Sequence, residues 1–308
     1  MTLEPSPPPP PGEGGELAAG AAPRRRRRSF APRYPAWLTL PVLGYDAIFF
    51  LGPLAILVVF SLADTVGFGQ VSYALSAVNF RQLWDPLYLD IFKTTLTMAA
   101  LGTALTLLVG YPMAYWMARC LDGGKSLALI LVIVPFLTSF LIRTYAWFII
   151  LDPQGFLVHF VHDLGLTGWR PLYTTQAIGI GLVYNYMPLL ILPVYASLER
   201  MDWTLVDAAL DLGSSPIKAF RQVTLPLTLP GLVTGVLLVF IPMTGEYVIP
   251  SLLGGGKREF VGNAVGDQFL VAQNWPFGAA MAIGLLLVLS VFLIVYLAFA
   301  TKEQQFGA

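Results

Sequence analysis

Glu246 stands in an otherwise apolar stretch, between Gly245 and Tyr247 and shortly before Pro250. It falls roughly 22 Å along a helix counted from Gly231. A carboxylate at that depth is costly and is by default a candidate for function. With the Tyr247 ring beside it, the group suits an ammonium-bearing solute, by charge and by cation–π attraction. Arg143 lies at comparable depth in another apolar stretch, so an internal Glu246–Arg143 pair is the competing assignment. Asn185, between Tyr184 and Tyr186, either lines the same path or hydrogen-bonds between helices. Tyr145 and Trp147 either line an outer cavity or belong to an interfacial aromatic belt. Asp46, at the start of the first apolar stretch, reads as an acid complementing a helix N-terminus. His159 and His162 are three apart with no further ligand nearby, so they read as surface residues and no metal site is expected.

Chemistry on a substrate is not indicated. There is no Ser/His/Asp set, no carboxylate pair and no activated thiolate, and the single cysteine, Cys120, excludes an intrachain disulfide. Gly123-Gly124-Lys125-Ser126 has the ending of a phosphate-binding loop. The glycine required five positions before Gly124 is Arg119, however, and no strand precedes it. Lys125 is better read as a topology determinant. The chain is expected to be no enzyme and to hold no nucleotide itself.

The elements that must position these residues follow from composition. Of 308 residues 56% are apolar and only 12% charged, with a mean hydropathy of +0.70, against about 25% charged in soluble domains. Six stretches are long enough to cross a bilayer as helices: Val42–Leu62, Ile91–Ala118, Leu127–Leu151, Ala177–Leu198, Leu229–Leu252 and Gly278–Ala300. The reading is an all-α membrane protein, a six-helix bundle over 34–302. A Pro/Gly-rich and Arg-rich tail, expected to be disordered, covers 1–33, and a short tail covers 303–308. Lys+Arg and Asp+Glu both number 18, so no basic field points to nucleic acid. Sorted by connection, twelve of the 18 basic residues fall on one side, including Arg24 to Arg28, Arg119, Lys125, Arg200, Lys218 and Arg221. By the positive-inside bias that side is cytoplasmic, and both termini with it.

The long inner connection, 199–228, has a pattern of its own. Leu205, Ala208, Ala209 and Leu212 recur at helical spacing and Gly213 is a helix stop. Ser214 or Ser215 caps a second helix with Pro216 at its first position, carrying Lys218 and Arg221 and stopped by Leu225-Pro226. A helix–Gly–helix element therefore projects between two spans, and Ala208 and Ala209 would let another protein approach closely.

The spacing Asp207-Ala208-Ala209, three residues, Gly213, nine residues, Val223, one residue, Leu225-Pro226 resembles the EAA loop of permease subunits of binding-protein-dependent ABC importers. Asp207 replaces the family's Glu and Val223 its Ile. Pro135-Phe136-Leu137-Thr138-Ser139-Phe140-Leu141-Ile142-Arg143-Thr144-Tyr145-Ala146-Trp147 and Gly245-Glu246-Tyr247-Val248-Ile249-Pro250-Ser251-Leu252-Leu253-Gly254-Gly255 resemble segments of the spermidine/putrescine permeases, as does Asn274-Trp275-Pro276. The resemblance implies the MetI-like, type I importer fold and import of polyamines, or of a related small solute, from the periplasm into the cytoplasm across the inner membrane. It also implies two ATPase subunits that bind ATP and Mg, a second permease and an extracytoplasmic solute-binding protein. The segment 199–228 would then be the loop that docks on the ATPase. A secondary transporter or channel acting without an ATPase is the alternative.

Overall fold

The computed structural model describes residues 40–306 except 122 and 167. The expected N-terminal tail lies outside the described residues. Helix α1 (Leu40–Ser61) leads into a β-hairpin, β1 (Asp64–Gly67) and β2 (Gln70–Ser72), and a short helix α2 (Val78–Gln82). Then come α3 (Pro86–Arg119), α4 (Lys125–Leu137), α5 (Phe140–Leu151), α6 (Phe156–Asp163) and α7 (Thr175–Glu199). The connection at 199–228 forms α8 (Thr204–Asp211), and α9 (Pro216–Thr244) follows. The chain ends in α10 (Val248–Gly254), α11 (Val261–Leu270) and α12 (Trp275–Phe306). By length and composition there are five membrane-crossing helices among the described residues, or six when the bent pair that starts with α4 is counted as one.

The core is built where α3, α7 and α9 meet, around Met117, Leu182, Leu190, Ile191 and Met243. Between membrane helices there is no hydrophobic drive to associate, so close packing of small residues does the work. A Cβ on Gly231 would sit 2.5 Å from both the Pro193 carbonyl and the Ser197 Cβ. Gly231→Val is therefore expected to separate α7 from α9, lowering the yield of folded protein and its melting temperature in detergent. Overpacking of this kind typically costs about 1–3 kcal/mol.

Three expectations are corrected. The stretch Leu127–Leu151 is not one straight helix: the chain bends by 94° between α4 and the helical run beginning at Phe140. Pro135 withholds an N–H from the helix, and Thr138 turns extended with its hydroxyl on the Pro135 carbonyl at 2.6 Å. Leu225-Pro226 does not stop a helix. The chain passes through a π-helical turn at Phe220–Thr224, which widens the ring where Pro226 has no N–H to give, and continues to Thr244. Asp46 lies within α1, six residues past Leu40, and caps nothing. The last helix, α12, continues to Phe306. The fifth stretch breaks at Gly245–Tyr247, giving α9 and α10. The outer connection at 62–85 contains the hairpin, held by two hydrogen bonds from the Asn79 amide to the Ser61 and Ala63 carbonyls.

Candidate functional site

At one end of the bundle, ion pairs draw two connections together. Lys125, at the start of α4, sits 3.2 Å from Glu199 at the end of α7, and Arg119, the last residue of α3, sits 2.6 Å from Asp207 in α8. Asp202 accepts from the Thr204 hydroxyl at 2.8 Å and N–H at 3.0 Å, which starts α8 and holds the Asp202 carboxyl below its usual range. Gly213, at φ +84°, closes α8; the Gly213 N–H reaches the Leu210 carbonyl and the Ser214 N–H the Ala209 carbonyl. The Ser215 hydroxyl then caps α9.

The residues selected in this loop fall into two sets. Asp207 and Ala208 are exposed beside Leu205 and Leu212, the latter 88% exposed. Ala209 and Val223 face the other way, onto a small core of Met201, Val206 and Ala219, so Ala208 alone of the two alanines is free to meet another surface. Leu225 packs on the main core, and Pro226 is exposed.

Deeper in the bundle, Arg143, Asn185 and Glu246 are all buried, and Arg143 and Glu246 do not pair. The Arg143 guanidinium donates through Nε to Asn185 Oδ1 at 3.0 Å and through Nη1 to the carbonyls of Pro135 and Phe136, the last turn of α4. Asn185 in turn donates to the Gly181 carbonyl at 3.0 Å. The positive charge is thus placed against a helix C-terminus, which favours it, and it clasps the 94° bend. Glu246, 5% exposed, sits in the break between α9 and α10. Its Oε1 accepts the N–H groups of Tyr247, Val248 and Ile249 at 3.1, 2.9 and 3.3 Å, and its Oε2 accepts the hydroxyl of Tyr186. The negative charge caps a helix N-terminus. Both charges are matched to opened backbone, not to each other.

The aromatic candidates are the ones that reach a surface. Tyr145 and Tyr247 are exposed. Trp147 packs edge-on against Tyr184 at 5.3 Å, and both line an open groove of about 500 Å³ with Leu105, Gln176, Gly179 and Met187. Tyr186 carries no local sequence signal for its role, because its partner Glu246 is 60 positions away. The pairing of Arg119 with Asp207 spans 88 positions and is made only by the fold.

The sequence matches, over residues 17–303, the family described as binding-protein-dependent transport system inner membrane component. The chain belongs to that family. Among such permeases it is 39% identical over 239 residues to the spermidine/putrescine transport system permease protein PotB of Escherichia coli (strain K12), covering 77% of this chain and 86% of that one. With PotB of Haemophilus influenzae the identity is 37% over 262 residues, 84% of this chain and 92% of the other. A permease chain from the crystal structure of a bacterial alginate importer shares the fold, with a TM-score of 0.64 at 17% identity over 87% of this chain and 96% of that one. A chain of the inward-facing MetNI methionine transporter does so with a TM-score of 0.56 at 17% identity, over 72% and 98%. The fold is that of ABC importer permeases, and the protein is a multi-pass inner-membrane permease subunit of such an importer.

Proposed function

We propose that this permease carries polyamines of the spermidine and putrescine class into the cytoplasm. It would act with a second permease, two ATPase subunits and an extracytoplasmic solute-binding protein. The observation that carries the reading is the 39% identity to PotB, which extends over 77% of the chain. ATP and Mg belong to the ATPase subunits, and this chain performs transport without hydrolysis of its own. Both termini lie in the cytoplasm with the Arg119, Lys125, Lys218 and Arg221 end of the bundle, in keeping with the positive-inside bias. In this reading α8 enters a groove of the ATPase through Asp207, Ala208 and Leu212. Tyr145, Trp147 and Tyr247, with Tyr184, offer ring faces to the ammonium groups of the solute. Glu246, Arg143 and Asn185 hold the two breaks that shape its path.

The test is ATP-dependent uptake of radiolabelled spermidine by proteoliposomes of the assembled transporter, with the ATPase co-purified on a tag on this chain. Ala208→Arg, on the exposed face of α8, is expected to abolish both co-purification and uptake while leaving the permease folded. Uptake without any attached ATPase would favour a secondary transporter or channel, and uptake that ignores polyamines would remove the substrate assignment.

A further inference from the structure

Three residues of α3, Tyr111, Tyr115 and Arg119, are spaced four apart and so form a stripe along its last turns. That stripe meets the docking segment side chain by side chain. The Arg119 guanidinium carbon is 4.9 Å from the Trp203 ring centroid while its Nη2 holds Asp207. The Tyr115 ring stands edge-on to Trp203 at 5.7 Å and to Phe220 at 6.2 Å, and Tyr111 stands edge-on to Phe220 at 5.6 Å. The Tyr111 hydroxyl and the Thr228 hydroxyl are 2.9 Å apart, both buried. Edge-to-face pairs such as these have a preferred geometry and resist being slid.

Covalently α8 is joined to the spans at both ends, through Arg200–Trp203 to α7 and through the turn after Gly213 to α9. Near its start α9 contains the π-helical turn Phe220–Thr224, where the buried Thr224 hydroxyl has no hydrogen-bond partner. Single π-turns inside α-helices recur at functional sites. α3 is a helix of 34 residues with Pro112 inside it, about 50 Å long. At its far end the Thr95 hydroxyl accepts the Val261 N–H at 2.9 Å, which ties α3 to α11, and Ile91 joins a buried cluster with Val261 and Phe277.

We propose that the Tyr111–Tyr115–Arg119 stripe, closed on Trp203 and Phe220, is the clasp through which movement of α8 is passed to α3 and so to the opposite face of the bundle. The proposal rests on the reading of α8 as the ATPase-docking helix. Tyr115 and Trp203 are positioning residues: they touch neither solute nor nucleotide but determine whether movement at α8 reaches the spans. Coupling of this kind travels through chains of packed side chains with discrete arrangements.

The experiment measures ATP hydrolysis and solute transported per ATP in the same reconstituted complex. Trp203→Ala and Tyr115→Leu leave the exposed Ala208 and Leu212 in place. Each is expected to keep the ATPase attached and hydrolysis within about twofold, while solute moved per ATP falls about fivefold, the scale of one lost aromatic pair. Trp203→Phe keeps a ring in the clasp and is expected to recover at least about half of the ratio. The double variant is expected to lose no more than the worse single, since both act on one contact. An unchanged ratio in the single variants, or losses that multiply in the double, overturns the clasp. A wild-type permease that fails to hold the ATPase overturns the docking reading instead, and the two failures are distinguished by the co-purification step.

Discussion

Gly213→Val is expected to cut ATP-dependent transport by about tenfold or more, whereas Gly213→Asn is expected to retain most of it. Gly213 adopts φ +84°, in the left-handed region, and its N–H reaches back to the Leu210 carbonyl to close α8. An L-residue there costs about 1–2 kcal/mol from the contact of Cβ with the following carbonyl, and a β-branched side chain is worse still. Asparagine tolerates the conformation because its short amide bonds locally. Space is not the issue, since nothing lies within 4 Å of a Cβ built on Gly213. Valine would be relieved by reopening the last turn of α8, which turns Leu212 and Asp207 away from their present face. The measurement is uptake per folded complex, with ATPase co-purification alongside. Equal effects of valine and asparagine would mean that the φ of this position does not govern the docking face.

The sequence made some of this plain and hid the rest for definable reasons. Apolar runs register the desolvation of a whole segment, so the spans were legible, and so was the stop at Gly213, where only backbone freedom is needed. The partners of Arg143 and Glu246 were not. Opposite charges at similar depth invite pairing on paper, yet each is met by main-chain groups that exist only because a helix is broken there: carbonyls of Pro135 and Phe136 for one, N–H groups of Tyr247 to Ile249 for the other. The broken helix ends provide dipoles of the right sign, and the low-dielectric surroundings strengthen them. In the same way the spacing of Tyr111, Tyr115 and Arg119 was visible, but Asp207 lies 88 positions after Arg119 and only the fold brings it near. Of the loop residues, Ala209 shared a motif with Ala208 yet faces inward, because neighbours on a helix point about 100° apart.

Glu246→Ala is expected to lose nearly all folded, assembled transporter, while Glu246→Gln keeps at least about half of both yield and uptake. In the alanine variant the N–H groups of Tyr247, Val248 and Ile249 and the hydroxyl of Tyr186 lose their acceptor in a site that is 5% exposed. A buried donor left unpaired costs about 1–3 kcal/mol; the Ile249 N–H is buried and the other three donors are part-buried, so their joint loss is a large share of a typical domain's stability. Glutamine can keep Oε1 on the three N–H groups and turn its amide toward Tyr186, whose hydroxyl then accepts instead of donating. Tyr186→Phe removes a single bond and is expected to lower stability by about 1–2 kcal/mol without changing which solutes are carried. The checks are the fraction of monodisperse complex surviving a heating series and uptake normalised to that fraction, for spermidine and for putrescine. If Glu246 is a helix cap, normalised uptake by the glutamine variant stays near wild type for both solutes. If its negative charge reads the solute, normalised uptake falls steeply, and more for spermidine, which carries the extra ammonium group, although the complex remains intact. That second pattern would return Glu246 from the scaffold to the transport path.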